Sequence, residues 1–217
     1  MRKVDFANGE IFHVYNRGVD KRPIVFDKKD SDRFIKSLIE FNSEKPIGSI
    51  FENSFEGNKK DGGQKLVKII CYCLNPNHYH ILLEQVTDKG IEKFMHRLGT
   101  GYSKYFNHRY KRSGALLQGR FKAVHVTDNR YLLHLSAYIN LNDLVHQLGR
   151  PTSKLVRSSW GEYLKQSKNS LVNPEIILDQ FDNIEDYKKF TEEALEIIKE
   201  NKEENRELEA LLITGED

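Results

Sequence analysis

Cysteine is nearly absent from this chain, with only Cys71 and Cys73 among 217 residues. As strand neighbours two apart they are poorly placed to bridge each other, and so sparse a use of cysteine fits a reducing cytoplasm. Long hydrophobic runs are missing too. Mean hydropathy is −0.63, and no apolar stretch approaches the length that crosses a bilayer. The opening MRKVDFANGE has no apolar core of the kind a secretory signal needs, so a cytoplasmic protein is expected. No internal repeat is visible, and the length suits one main domain with an appendage.

Acidic residues are scarce in one region. From Met1 to Arg150 there are 25 Lys and Arg against 16 Asp and Glu, whereas Pro151 to Asp217 holds 9 against 16, so a net charge of +2 hides opposite halves. Lys93 to Thr127 contains eight basic residues and no acidic one. Such a block is the footprint of a polyanion site, since solvated helix faces ordinarily mix signs.

The order of elements predicts an α+β fold with an antiparallel sheet and helices packed on it. Glu10 to Arg17 alternates as a first strand, with Phe12 and Val14 on one face and His13, Tyr15 and Arg17 on the other. Asp30 or Ser31 can cap a helix carrying Phe34, Leu38, Ile39 and Phe41, which Pro46 closes. Gly48 to Phe55 reads as a further strand and Glu56 to Gln64 as a hairpin tip. Ile91 to Arg109 is a helix whose apolar stripe takes in Tyr102 and Tyr105. Leu116 to Val126 contains a strand with Arg120 and Lys122 on one face, and Asp128 or Asn129 starts a helix from about Arg130 to Leu144. Trp160 and Tyr163 can dock a short segment, Asn173 can cap a helix begun by Pro174, and Asp182 to Ile213 forms a long acidic amphipathic helix. That helix either covers the basic region in cis or mediates dimerisation.

Chemistry concentrates at Leu74 to Glu84, LNPNHYHILLE. Asn75, Pro76 and Asn77 form a hairpin turn between two apolar runs, and His78 opens the second strand. Period-two alternation projects His78 and His80 to one face and Tyr79, Ile81 and Leu83 to the other. On the later helix, His134, Tyr138 and Asn142 recur at four-residue spacing, so a polar stripe facing the sheet edge would bring a phenol and an amide oxygen toward the two imidazoles.

Four segments, HVYNRG at His13 to Gly18, LNPNHYHILL at Leu74 to Leu83, GALLQGRFK at Gly114 to Lys122 and YLLHLSAYINLNDLV at Tyr131 to Val145, stand in the order and spacing of a known family. The chain resembles the HUH single-tyrosine transposases, the group that includes the REP-associated tyrosine transposases. Tyr79 replaces a more purely apolar residue between the histidines, and Asp143 stands where relatives usually carry Pro. The resemblance implies a ferredoxin-like sheet, a metal site from His78, His80 and Asn142, and Tyr138 as nucleophile. It also implies residues 1–149 as the nuclease domain, 150–217 as a C-terminal helical extension, and a possible homodimer.

Cleaving a phosphodiester needs an in-line nucleophile and a cation to offset charge building on the phosphate. Two imidazoles and one amide oxygen leave positions open for phosphate oxygens and water, which suits Mg²⁺ or Mn²⁺. A phosphotyrosine ester retains the energy of the cut bond, so a liberated 3′-OH can reseal the strand. Single-stranded or hairpin DNA is the expected partner, bound by Tyr15 and other exposed aromatics beside Arg17, Arg109, Arg112, Arg120 and Lys122. Two alternatives compete: a transposase-derived nucleic-acid-binding protein or host-task nuclease, and a structural zinc site from Cys71, Cys73, His78 and His80.

Overall fold

The computed structural model describes residues 5–47, 50, 63–145, 154–165 and 170–200. Five strands, β1 Ile11–Arg17, β2 Val67–Leu74, β3 His78–Gln85, β4 Lys122–Val126 and β5 Arg157–Ser158, form one antiparallel sheet in the order β4-β1-β3-β2-β5. The helices are α1 Lys28–Glu40, α2 Gly90–Arg109, α3 Asn129–Asn140, α4 Asn142–Val145, α5 Trp160–Lys165, α6 Glu175–Leu178 and α7 Ile184–Glu200. This is the expected α+β, ferredoxin-like arrangement with a C-terminal helical extension. None of the described helices is long and apolar enough to cross a membrane. All but Ile50 of the strand expected over Gly48–Phe55, nearly all of the tip that follows it, and the end of the last helix lie outside the described residues.

The histidine strand β3 is interior, paired with β1 and β2. Its turn is fastened from outside: the carbonyl of Pro76 accepts from the backbone N–H groups of Ile24 at 2.6 Å and Val25 at 3.0 Å. On one sheet face Tyr79 is buried against Phe34 of α1, ring centroids 5.3 Å apart, and Phe34 meets Tyr102 of α2 edge-on at 5.0 Å. The Tyr79 ring is thus packed on the core face, away from the histidines. The other face is covered by α3.

Several local boundaries differ from the sequence reading. Asp27, rather than Asp30 or Ser31, caps α1 by accepting from the Asp30 N–H at 3.1 Å. Asp30 is drawn inward instead, and α1 ends at Glu40, well before Pro46. Arg120 precedes β4 and lies outside the strand. Asp128 caps α3 as expected. Asn173 does not cap α6; its backbone N–H donates to the Ile69 carbonyl at 2.7 Å.

The C-terminal segments pack in cis. Tyr163 is fully buried and its hydroxyl donates to the Ile70 carbonyl at 2.9 Å. Tyr187 of the acidic helix α7 is buried between Ser136 and Asn140 of α3, with hydroxyl contacts of 3.1 Å and 3.0 Å. His134 also turns this way, its ring 5.2 Å from Phe190. The expected stripe of His134, Tyr138 and Asn142 is therefore divided between two neighbours, because α3 is sandwiched and residues four apart drift around its axis.

Gly101 sits inside α2, where an added Cβ would lie 2.5 Å from Cε2 and Cζ of Phe41. Alanine gains roughly 1 kcal/mol in helix propensity, but forcing a methyl into a packed ring costs about 1–3 kcal/mol. Gly101→Ala is expected to lower the urea midpoint, and a raised midpoint would show that the Phe41 ring moves aside freely.

Candidate active site

His78 and His80 meet on the α3 face of β3 with ring centroids 5.1 Å apart and nearly perpendicular planes. His78 is held at both nitrogens: Nδ1 lies 2.6 Å from Asn77 Oδ1, and Nε2 lies 3.0 Å from Asn75 Nδ2. An amide oxygen only accepts and an amide NH₂ only donates, so His78 carries its proton on Nδ1 and a lone pair on Nε2. The same Asn75 Nδ2 donates to Asn142 Oδ1 at 2.5 Å. A nitrogen lone pair and an amide oxygen thereby face a single point.

His80 is held from the neighbouring strand. Its Nδ1 is 2.9 Å from Nε2 of His13, and the two rings are close to parallel. His13 is fully buried, and that burial drives its pKa down to about 3, so the ring is neutral at any working pH. When His80 donates through Nδ1, its Nε2 carries the lone pair. A partner of this kind fixes both the tautomer and the plane of a histidine.

Tyr138 approaches from α3, its ring edge-on to His80 at 5.7 Å and 8% exposed. The helix does not run on to Leu144 as expected. It ends at Asn140, Leu141 adopts φ −108° and ψ 20°, and α4 begins at Asn142. That break lets Asn142, 0% exposed, reach Asn75 while Tyr138 stays over His80. The sequence reading missed His13 and Asn75. The first could have been found from its place on the Tyr15 face of β1, whereas the second reads as an ordinary turn residue.

The six expected DNA contacts have different fates. Tyr15 is not exposed: at 5% exposure it stacks on His13 at 5.0 Å, and burial raises its hydroxyl pKa to about 12. Arg109 is already paired within the fold, with Asp27 at 2.5 Å and the buried Asp30 at 2.6 Å. Arg112 lies over the Phe106 ring at 5.6 Å. Arg17 and Lys122 flank the recess containing His78 and His80, with Arg17 Nε donating to Gln118. Arg120 lines a separate groove of about 930 Å³ between α2 and the loop before β4, together with His96, Lys104 and Asn107.

No three His, Cys, Asp or Glu side chains gather as a metal site among the described residues. Cys71 and Cys73 are both buried free thiols, and they do not gather with His78 and His80 among the described residues, so the four-residue zinc alternative is not assembled. The donors that do converge are His78, His80 and Asn142, which could hold a divalent cation with open positions.

Residues 40–142 match the family model of IS200-like transposases. This region resembles that transposase family. The match spans His78, His80, Tyr138 and Asn142 and leaves β1, with His13, outside it. Among solved structures, a REP-associated tyrosine transposase bound to a REP hairpin shares the fold at a TM-score of 0.54 and 13% identity, over 79% of this chain and 88% of that one. No curated protein sequence matches significantly.

Arg109, paired with Asp27 and Asp30, reads as a structural cation of the fold. Removing it strips the buried Asp30 carboxylate of its charge partner, leaving hydrogen bonds from the Phe26 N–H, Tyr105 and Tyr110. Calorimetry is expected to show the melting temperature of Arg109→Met several degrees below wild type and that of Arg120→Ala unchanged. Equal melting temperatures for Arg109→Met and wild type would contradict this.

Proposed function

We propose that the chain is a DNA transposase and endonuclease that cuts and rejoins single-stranded or hairpin DNA through Tyr138. The observation carrying this reading is the convergence of Tyr138, His78, His80 and Asn142 from three elements on one buried point, inside the region that matches the model of a transposase family. In the proposed step the Tyr138 oxygen attacks a backbone phosphorus, the bond from phosphorus to the 3′-oxygen breaks, and that oxygen leaves as a 3′-OH. The product is a 5′-phosphotyrosine ester, and attack by a 3′-OH reverses the sequence, returning the proton to the phenol and resealing the strand. One phosphodiester is exchanged for another, so no nucleotide cofactor is consumed.

A divalent cation, Mg²⁺ or Mn²⁺, held by His78, His80 and Asn142 would supply charge stabilisation at the phosphate oxygens. The chain's own groups do the rest. His13 orients His80, Asn77 fixes the His78 tautomer, and the packing of α3 between the sheet and α7 holds the Tyr138 ring at the site. Arg17 and Lys122 at the mouth suit phosphates flanking the cut, and Arg120 suits a more distant stretch of backbone. Hairpin DNA as substrate is supported by the related fold solved with a REP hairpin. We assign catalysis to residues 1–149 and a bracing role on α3 to 150–217, acting in the cytoplasm.

A labelled single-stranded hairpin incubated with the protein and Mn²⁺ tests this. Wild type should cleave it, and Tyr138→Phe should fall to background while holding the hairpin within about twofold of wild-type affinity. His78→Ala and Asn142→Ala should each lower cleavage by tenfold or more, of the order expected for lost charge stabilisation at the transition state. Cleavage by Tyr138→Phe at the wild-type rate would overturn the proposal.

A further inference from the structure

Asn75 occupies an unusual position for a turn residue. Its side chain is completely buried, and one nitrogen, Nδ2, points at two acceptors at once, His78 Nε2 at 3.0 Å and Asn142 Oδ1 at 2.5 Å. Two lone pairs converging on one point repel each other unless something positive stands between them, and the amide NH₂ with its partial positive charge fills that place. An amide has a second face. Rotation by a half turn about the Cβ–Cγ bond exchanges Nδ2 for Oδ1 with almost no change of shape, because the two ends of the group are nearly isosteric.

With no cation the exchanged orientation is unfavourable, since it would set three acceptors against one another. With a divalent cation bound beside these groups the preference reverses: the NH₂ would repel the cation, whereas Oδ1 would add a further neutral oxygen to its donors. The other end of the side chain offers little resistance, because Oδ1 now has only a 3.9 Å contact with Cys73 Sγ. Asn142 behaves consistently, with its Oδ1 aimed into the site and its Nδ2 buried without a hydrogen-bond partner among the described residues.

We infer that Asn75 is a metal-responsive ligand, a donor-face plug in the cation-free protein that turns its oxygen inward and becomes a fourth protein ligand beside His78, His80 and Asn142. This rests on the metal reading of the site proposed above. It extends that set to two imidazole nitrogens and two amide oxygens, a balance that favours a hard cation with mixed N and O ligation such as Mn²⁺ over a thiophilic one.

Mn²⁺ binding to the intact protein, with no DNA present, separates a ligand from a plug by sign. Following the signal of free Mn²⁺ by electron paramagnetic resonance, Asn75→Leu should weaken binding by tenfold or more, and Asn75→Asp should tighten it. Asn75→Leu binding Mn²⁺ as tightly as wild type or more tightly would overturn the inference, because the loss of a ligand must cost affinity. Wild type that binds no Mn²⁺ would overturn the metal reading itself and this inference with it, a different and recognisable failure. Should Asn75→Leu fail to fold, the wild-type protein still decides: Mg²⁺ titration should shift the side-chain amide ¹⁵N and ¹³Cγ resonances of Asn75, assigned by their loss in Asn75→Asp. Unmoved resonances at saturating Mg²⁺ would refute the turn.

Discussion

A strand has only two faces, and burying Tyr79 on one of them decides where His78 and His80 point. The Tyr79 ring is packed on Phe34, which in turn meets Tyr102 of α2, so slipping the register of β3 by one residue would expose that cluster and bury the histidines in it. The register in turn places Tyr15 opposite His80 and brings His13 within hydrogen-bond reach of it. Everything that makes the site chemically plausible follows from this pinned strand: the tautomer of His78, the plane of His80 and the meeting with α3. Its polar groups are buried, so each carries a high penalty unless paired, and that penalty enforces a single arrangement.

Much of this was legible in the chain because it depends on short-range periodicity. The Asn-Pro-Asn turn, the alternation of β3 and the start of α3 at Asp128 follow from period and turn chemistry, whereas the place of Tyr138 beside the histidines was implied by the family resemblance. The break at Leu141 was not legible, since Tyr138 and Asn142 keep the same spacing whether one helix or two carry them. Only the pull of Asn75 on Asn142 distinguishes the cases, and that contact joins residues far apart in sequence. The same reason hid the burial of Tyr15 and the docking of His134 on Phe190.

The basic block illustrates how composition can be right in sum and wrong in detail. Charge counting marks Lys93 to Thr127 as a polyanion surface, but a count does not distinguish cations facing solvent from those spent internally. Arg97 donates to the carbonyls of Ser43 and Glu44, and Arg109 neutralises Asp27 and Asp30, so these two tie α1 to α2. Arg17 and Lys122 line the recess, whereas Lys104 and Arg120 line the groove. The acidic helix α7 braces α3 from behind through Tyr187, on the side away from the histidines.

The central claim is that Tyr138 is the residue that becomes joined to DNA. Its most direct measurement is mass-spectrometric peptide mapping of the covalent adduct trapped on a hairpin substrate. The account predicts a nucleotide-modified peptide containing Tyr138 and no modification on the other nine tyrosines of the ten. A phosphodiester found on Tyr15, Tyr79, Tyr131 or any other tyrosine would contradict it.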